Sequence, residues 1–165
     1  MSNPYQALFE AVRTRIVDAA GPFASTNVIR WWPDEAADEV APSERLITEL
    51  CQDRPQALIS YAGGEDRNDI GGGNEFAKNC IVRVRFGVRG PGDDYEKALF
   101  ATGTGGYWGV LEVLNWIERR LVGHQLTGAF DQLLYRSDAV IPTGAVGKMA
   151  HMLTFAAPYA LVGGD

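Results

Sequence analysis

From Ile81 to Arg89 the chain alternates, with Val82, Val84, Phe86 and Val88 in one register and Arg83, Arg85, Gly87 and Arg89 in the other. Successive side chains of a strand point to opposite faces, so this stretch reads as a β-strand with an apolar face turned to a core and a basic face turned outward. A strand of this kind needs further strands and an apolar layer against it. Gly90-Pro91-Gly92 ends it.

The rest of the chain supplies those partners. After Pro4, the residues Tyr5, Leu8, Phe9, Val12 and Ile16 recur at helical spacing up to the stop at Gly21-Pro22, which predicts an amphipathic helix over 4–20. Residues 27–33 read as a short extended piece ending at Pro33. Its adjacent Trp31 and Trp32 face opposite ways, so one can fill the core while the other, taken as Trp32, is left for a partner. Ser43 is placed to cap a short helix at 43–51 whose apolar stripe is Leu46, Ile47 and Leu50. A strand follows from Ala57 to Ala62. Residues 63–79, rich in glycine and acids, then read as a long flexible loop.

Residues 93–122 read as mostly helical with an interruption at Gly103, Gly105 and Gly106, and Val110, Val113, Leu114, Ile117 and Leu121 mark the apolar face. Two strands close the chain, 132–141 and 148–161. The resulting expectation is an α+β fold, a mostly antiparallel sheet of four to five strands packed against two main helices, in one domain spanning 1–165.

Size and charge agree with one self-sufficient core. A chain of 165 residues and 18.0 kDa exposes roughly 26,000 Å² unfolded and about 8,000 Å² folded, so no disulfide is needed to hold it. Cys51 and Cys80 fit no metal spacing and read as free or buried thiols. Neither a leader pattern at Met1–Glu10 nor a long apolar run is present, so the expectation is a soluble protein that is intracellular when made and has no membrane partner. A net charge of −6 makes it a poor wrapper of nucleic acid.

A search for reactive groups yields little. Thr102-Gly103-Thr104-Gly105-Gly106 has no following lysine and does not open a helix directly after a strand, so neither phosphate-loop motif fits. Asp66-Arg67-Asn68-Asp69-Ile70-Gly71 begins like a calcium loop but has Ile70 and Ala77 at ligand positions. His124 and His151 have no histidine or cysteine at ligand spacing. No catalytic residue, metal or cofactor is expected.

Three features stand out instead. The arginine row Arg83, Arg85 and Arg89 calls for acidic partners, because like charges on alternate residues repel. Those partners can lie within the chain or on a neighbouring subunit, and nucleic acid is the third option. Two acidic stretches suit a subunit contact: Asp34, Glu35, Asp38 and Glu39, and the loop acids Glu65, Asp66 and Asp69. Aromatic residues are also concentrated at Trp31, Trp32, Tyr107 and Trp108, either for an interface or for the core. The glycine-rich loop suits a segment that orders upon docking.

Taken in order, the amino-terminal helix, Ala57-Leu58-Ile59-Ser60-Tyr61-Ala62-Gly63-Gly64, Val82-Arg83-Val84-Arg85-Phe86-Gly87-Val88, the helix ending Ile117-Glu118-Arg119-Arg120-Leu121-Val122-Gly123, and Met152-Leu153-Thr154-Phe155-Ala156 form a recognisable layout. It resembles the small tail-completion or tail-terminator proteins of tailed bacteriophages, particularly the Mu-like family of contractile-tail phages, over roughly residues 5–161. The loop at 63–79 and the interruption at Gly103–Gly106 have no match in that pattern. The resemblance implies a non-enzymatic α+β subunit of the virion, made in the host cytoplasm. On that resemblance it would form a hexameric ring on the head-proximal end of the tail, stop polymerisation of the tail tube protein and offer the joining surface to the head. DNA would pass through such a ring without specific binding. A head-side neck or connector protein is the related alternative, and a small cytosolic nucleotide- or ligand-binding enzyme is the alternative of a different class.

Overall fold

In the computed structural model of the chain, whose described residues are 3–30, 44–66 and 76–161, the first helix begins at a side-chain cap. Asn3 Oδ1 accepts from the Tyr5 N–H at 2.9 Å, and Pro4 occupies the first turn, where a missing donor costs nothing. Helix α1 (Pro4–Ile16) buries Leu8, Val12 and Ile16. It ends before the predicted stop at Gly21-Pro22. Val17 is extended, the Asp18 carboxylate takes the Ala20 N–H at 3.0 Å, and the Asp18 N–H donates to the Phe23 carbonyl at 2.9 Å. These local bonds compete with another helical turn.

Five strands form one sheet in the order β1-β2-β3-β5-β4, where β1 is Val28–Arg30, β2 Gln56–Asp66, β3 Phe76–Arg89, β4 Leu134–Ile141 and β5 Lys148–Leu161. Only the β1–β2 pair is parallel. Together with the helices this is an α+β fold. β3 and β5 pair along their whole length, from Phe76 opposite Leu161 to Arg89 opposite Lys148. The loop predicted over 63–79 is therefore shorter than read: β2 continues through Gly63 and Gly64 to Asp66, and β3 already starts at Phe76. The two glycines accommodate a register shift between Tyr61 and Gly64, and the paired backbone outweighs their weak strand propensity.

Helix α2 (Glu44–Leu50) lies on one face of the sheet, and α1, α3 (Tyr95–Phe100) and α4 (Val110–Leu121) lie on the other. Val82, Val84, Phe86 and Val88 pack with Leu8, Val12, Ile16, Val113, Ile117 and Leu121 in the larger core. The opposite face carries a second, smaller core of Leu46, Ile47, Leu50, Cys51, Leu58, Ile141 and Ala150. The basic register of β3 is thus not an open solvent face. Gly87 belongs to that register because α2 approaches there: a Cβ on it would stand 2.7 Å from Cys51 Sγ and from the Leu50 carbonyl carbon.

The predicted helix over 93–122 divides into α3 and α4. Gly103, at φ +90°, lies so close to Trp108 that a Cβ would meet its indole at 2.8 Å, and the Gly103 N–H donates to the Tyr107 carbonyl at 2.7 Å. The glycine turn is the seat of a tryptophan, and Trp108 packs on the core and edge-on to Trp116. α4 is tied to the end of α1 by Trp116 Nε1 donating to the Ile16 carbonyl at 3.0 Å and by Arg120 bonding Asp18 at 2.9 Å. At the other end of α1, the Tyr5 and Tyr159 hydroxyls share a 2.6 Å hydrogen bond that pushes the Tyr159 pKa up to about 12.

Candidate assembly surface

Strand β4, Leu134-Tyr135-Arg136-Ser137-Asp138-Ala139-Val140-Ile141, combines strand-forming residues with almost no burial: every residue but Ile141 is exposed. It pairs with β5 alone, and its outer side faces no strand among the described residues. Leu134, Tyr135 and Val140 (65% exposed) are large apolar side chains on this edge. An open edge with backbone donors and acceptors and apolar side chains is a template for pairing with another chain.

The register fixes which face each residue occupies. Tyr135, Asp138 and Val140 stand opposite Phe155, Leu153 and His151, on the side of the larger core, whereas Ser137, Ala139 and Ile141 stand opposite Thr154, Met152 and Ala150. The His151 ring stacks on Phe86 and holds Nε2 3.8 Å from an Asp138 carboxylate oxygen. That is ion-pair range but too long for a hydrogen bond. Burial holds the imidazole pKa below its ordinary value, and the Asp138 charge partly opposes the shift.

The turn from β4 to β5 continues the same surface. Thr143 Oγ1 donates to the Lys148 carbonyl at 2.9 Å and fixes the turn. Val146 (79% exposed) and Tyr95, at the start of α3, stand beside a shallow groove lined by Ile141, Pro142 and Met149. The exposed apolar residues Tyr95, Val140 and Val146 therefore gather at one end of the sheet.

The arginine row is placed differently from an exposed stripe. Arg85 is 3% exposed and donates from Nη1 to Ser60 Oγ at 2.8 Å. Burial, with Arg83 nearby, lowers its pKa. Arg83 is half-buried, opposite Ser60 on β2 and Thr154 on β5. Only Arg89 is exposed, and it meets two acids that the sequence did not single out, Asp93 at 3.2 Å and Asp53 at 3.9 Å. Glu65 likewise has a partner in its own chain, Arg136 at 3.7 Å, and Asp66 is opposite Lys78 at the end of β2. Asp34, Glu35, Asp38, Glu39, Asp69 and Trp32 lie outside the described residues, as do Trp31 and Ser43, the cap expected from the sequence.

What sequence reasoning missed was β4 as a surface. Its signal was a strand-forming segment that mixes apolar residues with Arg136, Ser137 and Asp138 and has no clean two-residue alternation, which is how an edge strand without a buried face reads. Cys51 and Cys80 are free and buried, and burial pushes both thiols up to about 11. Among the described residues no three His, Cys, Asp or Glu side chains gather as a metal site, and no helix is long and apolar enough to cross a membrane.

No family model matches this chain, and no curated protein does. Among solved structures it is similar to a chain of the "Virion of native gene transfer agent (GTA) particle", with a TM-score of 0.47 and 16% identity over 94% of this chain and 96% of that one.

Proposed function

We propose that the chain is a structural virion subunit of the tail-terminator type, assembling as a ring on the head-proximal end of a phage tail tube. The observation that carries this reading is the exposed β4 edge, a surface built for joining chains. The resemblance of the sequence layout to phage tail-completion proteins supplies the place in the virion. In this role the ring ends polymerisation of the tail tube protein below it and offers its other face to a head-side connector. A chain of net −6 lets DNA pass without gripping it, since tight binding comes from cations displacing counterions at phosphate. Arg85 serves the fold of the single subunit, and the joining surface moves from the arginine row to the β4 edge.

The test is polymerisation of purified tail tube protein with and without this chain, viewed by negative-stain microscopy. The expected result is short tubes capped at one end with the chain present and tubes of uncontrolled length without it. Binding to a portal-side adaptor together with no effect on tubes would assign it to the head side instead.

A further inference from the structure

The two edges of the sheet are different, and their ends lie in the same rows. Across the five strands, Arg30, Ile59, Val84, Leu153 and Asp138 stand opposite one another in turn. The next rows run Ile29, Leu58, Arg85, Met152, Ala139 and Val28, Ala57, Phe86, His151, Val140. Each row begins on β1 and finishes on β4. One has a cation position at one end and a carboxylate at the other, and the row two further along, on the same face, has valine at both.

We propose that neighbouring copies join edge to edge, β4 of one copy pairing antiparallel with β1 of the next, so that Asp138 stands opposite Arg30 and Val140 opposite Val28. This rests on the reading that copies of the chain assemble with one another. Strand directions permit it without rearrangement. β1 runs with β2, and each later pair in the order β2-β3-β5-β4 is antiparallel, so β4 runs against β1. A copy laid beside another in the same orientation continues every row with no slip. Opposite charges directly across an antiparallel pair stabilise it, and a one-residue slip would turn Asp138 to the wrong face.

The occupant of the β4 edge follows from these rows. A second β4 would pair the same surface with itself and produce a closed pair, whereas a ring needs two different complementary surfaces on each copy. Arg136, the cation that a β4–β4 pair would need against Asp138, is engaged by Glu65 of its own chain. Asp138 is exposed on this edge; His151, whose imidazole burial holds toward the neutral form, lies 3.8 Å from its carboxylate.

Thiol cross-linking of the full chain tests the pairing. Opposite residues of an antiparallel pair have Cα atoms roughly 4.5–5.5 Å apart, within disulfide reach. The double variant Arg30→Cys with Asp138→Cys is expected to give a covalent ladder on oxidation. The two single variants, mixed, are expected to give dimers, and each alone is expected to stay uncross-linked, like the parent chain with its buried thiols. Dimers from Asp138→Cys alone would mean β4 pairs with β4 and would overturn the proposal. Oligomers by light scattering with no cross-link would also overturn it while leaving the ring reading intact. A chain that stays monomeric and uncross-linked in solution and on tube ends would overturn both. The charge-reversed pair Arg30→Asp with Asp138→Arg is expected to restore assembly that either reversal alone weakens, which separates edge pairing from a folding defect.

Discussion

The Trp116 indole lies over Gly21 so closely that a Cβ there would stand 2.6 Å from Cη2, while its Nε1 donates to the Ile16 carbonyl at 3.0 Å. The turn after α1 is thereby held against α4, with Arg120 stacked at 4.2 Å over the same ring and bonded to Asp18. The Asp18 N–H donating to the Phe23 carbonyl and its carboxylate accepting from the Ala20 N–H complete this joint.

Gly21→Ala is therefore expected to cost about 1–3 kcal/mol, the usual penalty of overpacking. Urea unfolding measures it. The same substitution in a Trp116→Leu background should cost less, because the obstructing ring is gone. Equal costs in the two backgrounds would show that the ring is not the obstacle.

Arg85 and Arg89 should behave as different kinds of residue despite sharing a register. Truncating the buried Arg85 to alanine removes the donor to Ser60 and opens space beneath α2, at an expected cost of roughly 2–4 kcal/mol. Arg89→Ala breaks two exposed ion pairs and should stay within about 0.5 kcal/mol. Thermal unfolding of both variants is the check. Matching transitions for the two would refute the distinction.

His151 gives a pH dependence of known sign. Its pKa is lowered in the folded chain, so the unfolded chain takes up the proton more readily. Stability is then present above the ordinary imidazole value of 6.5 and is lost as pH falls through the depressed folded value. The drop in unfolding free energy between about pH 7.5 and about pH 5 should be smaller for His151→Gln than for the wild type. Asp138→Asn should steepen it, since the carboxylate partly holds the proton on. Identical slopes in wild type and His151→Gln would remove His151 as the cause.

Cys51 and Cys80, both buried and pushed up to about 11, should resist a thiol reagent at about pH 8, where only about a thousandth of each is thiolate. Colorimetric titration should count both thiols after denaturation. Rapid labelling of the folded chain would mean that one of them is reached without unfolding.

Local patterns were most readable where one physical cause acts alone. The alternation at 81–89, the stripe Val110, Val113, Ile117 and Leu121, and the strand at 148–161 follow from period and burial, and each stands where the sequence puts it. Boundaries set by competing bonds were harder. Asp18 ends α1 by capturing local N–H groups, and pairing with β3 carries β2 through glycines that alone suggest a loop. The fate of the arginines depended on whether a second layer covers their face, and α2, distant in sequence, decides that. The candidate surface was the least legible part, because an edge is defined by the absence of a neighbour, which no residue encodes by itself.

β3 and β5 lie side by side for 14 residues each, about 46 Å of continuous pairing at a typical rise per residue. A pull along that direction loads the cross-strand bonds in shear, many at once, whereas a pull across it would peel them one by one. The subunit is consequently stiffest along its strands, and a load transmitted lengthwise through the sheet would reach the far end with little deformation.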